Sequence, residues 1–144
     1  MDKQIKSVFI FENYIVNKID FDLNSDFNYS KSIDLDFSID INIALAESPL
    51  AGKVTLNTHV FNKAHQEDYP FSLFVSLTGS FSVTDESMTK EQFIKFCQLN
   101  GAAALFPFLR SIIADITKVA NFPSLILPLI NVHNLIDSQN KEKA

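Results

Sequence analysis

The chain has 144 residues, 47% of them apolar, with a formal net charge of −5. One domain spanning 1–144 is the natural count, and a chain of this size buries about 70% of its unfolded surface, so it needs no staple. The acidic balance, with no basic patch, argues against nucleic acid and against an anionic membrane surface, and the single cysteine, Cys97, excludes an internal disulfide.

Fourteen residues are phenylalanine and none is tryptophan. That surplus reads either as a Phe-rich core or as apolar surface meant for a partner chain or ligand. Met1–Lys6 has no apolar signal-peptide region, and the longest apolar run, Ala102 to Leu109, is far short of the roughly 20 residues of a membrane span. The expectation is a cytoplasmic protein without membrane insertion.

Residues 6–23 read as one long strand. Phe9 and Phe11 alternate, the phase slips near Glu12–Asn13, and Ile19, Phe21 and Leu23 resume it, which is the signature of a bulge. Asn24–Ser25–Asp26 and Asn28–Tyr29–Ser30 carry turn chemistry. From Ile33 to Leu45 apolar residues recur at strict period two, with Asp34, Asp36, Ser38, Asp40 and Asn42 between them. This predicts a second strand with one buried and one wet face. The acids lie about 6.6 Å apart or more along such a strand, so a solvated face explains them better than a shared metal ion.

Pro49–Gly52 reads as a turn, Val54–Phe61 as a third strand, and Ala64–Pro70 as a polar connection. Phe71–Val83 alternates again and predicts a fourth strand, in which Gly79 marks a close backbone approach. Thr89 with Gln92 three residues on forms a capping box that opens a helix, and Asn100–Gly101 is expected to end it. A second helix follows from Ala102 or Leu105, with Pro107 in its first turn and Asn121–Pro123 at its end. Ile112, Ile113 and Ile116 span more than one stripe of that helix, so one stripe can face the sheet and another a neighbouring subunit, and these three are the expected oligomer-interface residues. The next residues, Leu125, Ile126, Leu127, Leu129 and Ile130, are apolar on every side, with Pro128 among them, and must be covered by something or cover something. Val132, Leu135 and Ile136 are consistent with a short last helix, and 138–144 with a frayed tail. Strands followed by helices give an α+β fold: a four-stranded antiparallel sheet with C-terminal helices packed on one face.

The chain carries no Gly-rich phosphate loop, no Gly-x-Ser-x-Gly elbow and no paired metal-ligand spacing. His59, His65 and His133 stand apart from any catalytic pattern, and Cys97, on an apolar helix face, reads as a small buried hydrophobe. The expectation is no enzyme, no metal and no cofactor.

Leu105–Phe106–Pro107–Phe108, with Arg110 two residues later, then Asn121–Phe122–Pro123, Leu125, Leu127 and Asn131 resemble the C-terminal half of the SecB family of protein-export chaperones. That family carries Leu-Phe-Pro-Tyr-x-Arg, Gly-x-Phe-Pro, a Leu-x-Leu loop and a following Asn. Here Phe108 replaces the tyrosine, and Asn121 stands directly before Phe122. Phe9-x-Phe11, Ile19-x-Phe21-Asp22 and Gly79–Ser80–Phe81 extend the resemblance more loosely over nearly the whole chain.

The resemblance implies an ATP-independent holdase that binds unfolded or slow-folding polypeptides in apolar grooves. It implies a homotetramer, built by pairing first strands and by packing long helices. The client surface would then run through Phe122, Leu125, Ile126, Leu127 and exposed aromatics such as Phe74. In the family the export ATPase SecA docks on acidic residues of the outer sheet face. Asp22 keeps one of those charges, while Lys18 and Phe74 replace the other two. Two alternatives stay open: a SecB-like chaperone dedicated to a toxin–antitoxin pair, and a binder of a small apolar ligand.

Overall fold

A computed structural model describes residues 9–46, 50–84 and 88–130. The start of the first strand, the turn at Pro49, the last helix around 132–136 and the tail lie outside the described residues. Four strands form one sheet in the order β1-β4-β3-β2, with every neighbouring pair antiparallel. They are β1 (Phe9–Leu23), β2 (Phe37–Ala46), β3 (Ala51–Val60) and β4 (Phe71–Val83). The link from β1 to β2 therefore passes from one edge of the sheet to the other.

β1 carries the expected bulge between Phe11 and Asn13, and a second between Val16 and Lys18. Each inserts a residue, so the strand keeps Phe9, Phe11, Val16 and Phe21 on the face that β4 turns inward. β2 starts at Phe37 and not at Ile33. Its partner β3 ends at Val60, because Phe61 turns into the left-handed region at φ 53°. The Phe61 N–H donates to the Asp36 carbonyl at 2.8 Å and closes the ladder there. β3 begins at Ala51, three residues earlier than its apolar pattern suggests, because the hairpin pairs Ala46 with Ala51.

The polar connection 64–70 contains a one-turn helix, α1 (Ala64–Glu67), flanked by Lys63 and Asp68 at positive φ. Asn24 ties the end of β1 to it. The buried Asn24 amide donates to the carbonyls of Ala64 and Tyr69, and the Asn24 N–H donates to the Pro70 carbonyl.

The predicted capping box is present: the Gln92 N–H donates to Thr89 Oγ1 at 3.1 Å, and the Thr89 N–H donates to Gln92 Oε1 at 2.9 Å. It opens α2 (Lys90–Phe96). Asn100–Gly101 does not end this helix. A π-helical turn, Cys97–Gly101, carries it into α3 (Ala102–Val119), and Gly101 has helical φ and ψ of −66° and −48°. Pro107 consequently lies well inside a continuous helix and not in its first turn. Its ring and the Ala103 carbonyl it leaves without a helical donor are both on the exposed face, where water can serve. By length and mean hydropathy the 30-residue helix is long and apolar enough to cross a membrane. Here its buried stripe, Leu105, Phe106, Leu109, Ile113 and Thr117, lies on the sheet.

All three glycines of the chain serve this contact. A Cβ at Gly101 would stand 2.9 Å from Val54 Cγ2, and one at Gly79 would stand 2.7 Å from Leu105 Cδ2. Gly52, expected in a turn, lies within β3, where a Cβ would come within 3.2 Å of Phe93. The helix thus rests almost directly on the strands. Val54, Val75, Leu77, Phe93, Leu105, Leu109 and Ile113 are fully buried between the layers, each contributing about 1.5–3 kcal/mol by burial.

Candidate functional site

Helix α3 ends in a Schellman motif. Asn121 takes the left-handed conformation at φ 70°, the Asn121 N–H donates to the Lys118 carbonyl, and the Phe122 N–H donates to the Thr117 carbonyl. Asparagine tolerates that conformation better than most side-chain-bearing residues. Pro123 then prevents the helix from resuming.

The apolar segment that follows, 122–130, is fastened back onto α3 at two points. Thr117 Oγ1, fully buried, donates toward the Ile113 carbonyl at 2.9 Å and accepts the Leu125 N–H at 2.9 Å. Arg110 Nε donates to the Leu127 carbonyl at 2.7 Å. Among the described residues the segment has no helix or strand partner for its backbone, so these side chains satisfy groups that would otherwise lose hydrogen bonds in the core.

Phe122 packs against Phe71, with ring centroids 5.0 Å apart, and against Phe21 at 6.2 Å. Phe21 stacks on Phe71 at 5.0 Å, and Phe61 meets the Phe71 edge at 5.2 Å. At the other end of β1 a second cluster joins Phe9 and Phe11 to Phe81 and reaches Phe108 through Phe11 and Tyr14. The phenylalanine surplus therefore fills both ends of the β1–helix contact.

Not all apolar surface is used up. Phe122 and Leu125 are half-buried, and Ile126 and Leu129 are exposed at 58% and 82%. Leu127, expected at the client surface, is fully buried. Arg110 holds its carbonyl, and its neighbour Ile126 presents the apolar surface instead. Ile113, expected to face a neighbouring subunit, belongs to the sheet-facing stripe. Ile112 and Ile116 are half-buried and continue, with Phe108 and the 86%-exposed Val119, as a second apolar stripe of α3. Beside it the free edge of β1 exposes Tyr14, Ile19 and Leu23 on the helix side of the sheet. Tyr14 and Phe108 meet at 4.5 Å.

Phe74 is not brought together with these residues. It pairs with Asp20 and His59 on the opposite, helix-free face, which also carries Ser72, Ser76 and Thr78. Lys18 Nζ lies 5.9 Å from the Phe74 ring centroid, and His59 packs on the same ring at 4.8 Å. Asp20, Asp22, His59, Asn62, Ser72 and Phe74 line an open cleft of about 290 Å³ there. Asp22 Oδ2 stands 3.4 Å from His65 Nε2.

Cys97 is fully buried, and burial pushes its thiol up to about 11 from the ordinary 9.0, so it is held as a neutral thiol. Among the described residues no group of three or more His, Cys, Asp or Glu is placed to hold a metal.

Sequence reasoning missed Thr117 and the hydrogen bonds of Arg110 and Asn24. A threonine at i+4 from Ile113 inside an apolar stripe was the available signal, since its hydroxyl must find partners in a core.

The family model described as preprotein translocase subunit SecB matches residues 12–143. An uncharacterized protein of Methanocaldococcus jannaschii, MJ0357, is 32% identical, spanning 99% of this chain and 96% of that protein. The protein-export protein SecB of Anaplasma phagocytophilum is 35% identical over 71 residues, 49% of this chain and 45% of that protein. Among solved structures, the SecB-like chaperone Rv1957 of Mycobacterium tuberculosis, in complex with a peptide from the HigA1 antitoxin, has a TM-score of 0.62. Its identity is 15%, over 85% of this chain and 90% of that one. A Streptococcus agalactiae protein of unknown function has a TM-score of 0.53 at 13% identity, over 85% of this chain and 98% of that one.

Proposed function

The chain belongs to the SecB family, and from that premise we propose that it is a holdase: a cytoplasmic, ATP-independent chaperone that captures unfolded polypeptides on apolar surface and releases them without chemistry. The observation that carries this reading is the double-sided apolar character of its C-terminal half. One stripe of α3 is buried on the sheet, while Phe108, Ile112, Ile116 and Val119 continue as a second stripe. After it, segment 122–130 keeps Ile126 and Leu129 in solvent. A monomer exposing that much contiguous apolar surface would aggregate, so part of it serves assembly and part serves clients.

We assign Ile112, Ile116 and Val119 of α3 and the free edge of β1 to a homotetramer. Phe122, Leu125 and Ile126 are assigned to the client groove. Against a small-ligand binder stands the close helix–sheet contact at Gly79 and Gly101, which leaves no chamber between those elements.

The destination of the client divides into two readings. Hand-off to the export ATPase draws support from Asp20 and Asp22, both on the outer face. A dedicated antitoxin role draws support from Rv1957, whose structure holds an antitoxin peptide, and from Lys18 and Phe74, which break the acidic pattern. The test is light scattering together with suppression of client aggregation. The expected results are a mass four times the 16.2 kDa chain and suppression at stoichiometric amounts without ATP. A monomer at micromolar concentration that leaves aggregation unchanged is the contrary result.

A further inference from the structure

Segment 122–130 is loosely attached. Leu127 is its only fully buried residue; Phe122, Leu125 and Ile130 are half-buried, and the others are exposed. Its two fastenings to α3 come from side chains: Thr117 Oγ1 accepts the Leu125 N–H, and Arg110 Nε donates to the Leu127 carbonyl. The same two residues locate it over the sheet. Phe108 meets Phe11 and Tyr14 of β1. Arg110 and Thr117 stand about 200° and 180° round the helix from Phe108. Their flank of α3 therefore turns away from β1, toward β3 and β2 at the other side of the sheet. The segment fastened to that flank covers the helix side of β3 and β2. On this side Thr58, between Ile39 and Val75, is fully buried, and its hydroxyl has no hydrogen-bond partner among the described residues. Buried polar groups are rarely left so, and the floor thus offers a hydrogen bond that its present cover does not use.

We infer that segment 122–130 is an autoinhibitory strap, an internal substitute for a client, which an apolar stretch of unfolded chain displaces from the helix side of β3 and β2. The inference rests on the holdase reading and adds a gate to it. The segment has the chemistry of its competitor: it is apolar, and Pro123 and Pro128 keep it out of regular structure. A client side chain can fill the Leu127 site, while its backbone N–H and C=O find Thr117 and Arg110. Thr58 then gives the client a bond that the strap lacks. Exposed Ile126 and Leu129 are the first surface a client meets. Without a client, the strap keeps the floor beneath it out of solvent and away from other copies. Because the strap is tethered, its effective concentration at the floor is high, and only a long apolar stretch competes with it. The device selects chains that are extensively unfolded over folded proteins with one exposed side chain.

The test is hydrogen exchange on the wild-type protein, with and without reduced and carboxamidomethylated lysozyme as the unfolded client. Complex formation is followed in the same samples by light scattering. The expected result is a complex in which the Leu125 amide exchanges at least about tenfold faster than in the free protein, because displacement removes its threonine acceptor. A complex in which that amide is unchanged or slower overturns the strap, since a fixed wall is covered by what binds to it, and leaves the holdase reading standing. Absence of any complex overturns both. As a second measurement, Arg110→Met keeps an aliphatic stem and removes the donor to the Leu127 carbonyl. By raising the fraction of open molecules it is expected to increase the association rate of the same client about fivefold. A rate equal to that of the wild type, or lower, is the contrary result.

Discussion

Lys18 and Phe74 interact across the outer face of the sheet, the ammonium 5.9 Å from the ring centroid. They come from adjacent strands: Lys18 pairs with Ser76, and Phe74 with Asp20. These are the two positions at which the chain departs from the acidic pattern that its family resemblance predicts, and they satisfy each other. A cation–π contact of this kind contributes about 0.5–1 kcal/mol at an exposed site. It also occupies with positive charge the place where a basic partner would dock. Binding to the tail of the export ATPase is therefore expected to be weak in calorimetric titration. Lys18→Glu should raise the association rate severalfold at low salt and lose that gain at high salt. Submicromolar wild-type binding that disappears in Asp22→Ala is the opposing outcome.

Thr117 holds the segment that follows α3. Thr117→Val keeps the shape but strands the Leu125 N–H, and should cost about 1–3 kcal/mol. Urea unfolding measures the loss. Exchange of the Leu125 amide should accelerate more than that of amides in β4, since the hydroxyl is its acceptor. Equal acceleration throughout would mean that the threonine acts only on global stability.

Leu127 and Ile126 are adjacent and should behave oppositely. Leu127→Ala empties a fully buried site and is expected to cost about 2–5 kcal/mol in urea unfolding. Ile126→Ser alters an exposed side chain and should change stability by no more than about 0.5 kcal/mol, while reducing suppression of client aggregation. Undiminished suppression in Ile126→Ser would remove this residue from the client surface.

Gly79 sits beneath Leu105, which has nowhere to retreat because it is fully buried. Gly79→Ala should therefore destabilise by about 1–3 kcal/mol through overpacking, although alanine suits a strand at least as well as glycine does. A neutral or stabilised variant in thermal or urea unfolding would show that the layers can separate at little cost.

Cys97 predicts an alkaline limit. Its thiol is raised from 9.0 to about 11 by burial, so the folded state holds its proton where the unfolded state has lost it. The corresponding stability is intact below pH 9.0 and falls as pH rises toward 11. Cys97→Ala should flatten that part of the stability–pH curve. Native alkylation by iodoacetamide should be slow and accelerate only on unfolding.

The strands and the capped start of α2 were legible because they rest on local signals: period two in β2 and β4, and the Thr89–Gln92 pair. What was misread depends on partners distant in sequence. Ile33–Leu35 continue the alternation perfectly, yet β3 has no residues left to pair with them. Gly52 and Gly101 read as turn and stop signals, but each is required where a helix touches a strand, which no local pattern reveals. Period alone cannot say which of two apolar stripes of α3 meets the sheet, so it does not separate Ile113 from Ile112 and Ile116, and the irregular segment around Leu127 has no period to read at all. Phe74 alternates with inward residues, so its face was legible, and only its grouping with Phe122 was not.

Among the described residues no glycine has positive φ, whereas Phe61, Lys63, Asp68 and Asn121 all do. The usual division of labour between residue types is thereby inverted. In a library sampling every position, glycine codons should be the least replaceable. The chain reversals at Lys63 and Asp68 should be the places where glycine is newly accepted, because it relieves a backbone conformation that costs side-chain-bearing residues about 1–2 kcal/mol. The thickness of the molecule, rather than its turns, sets where such a lineage can drift.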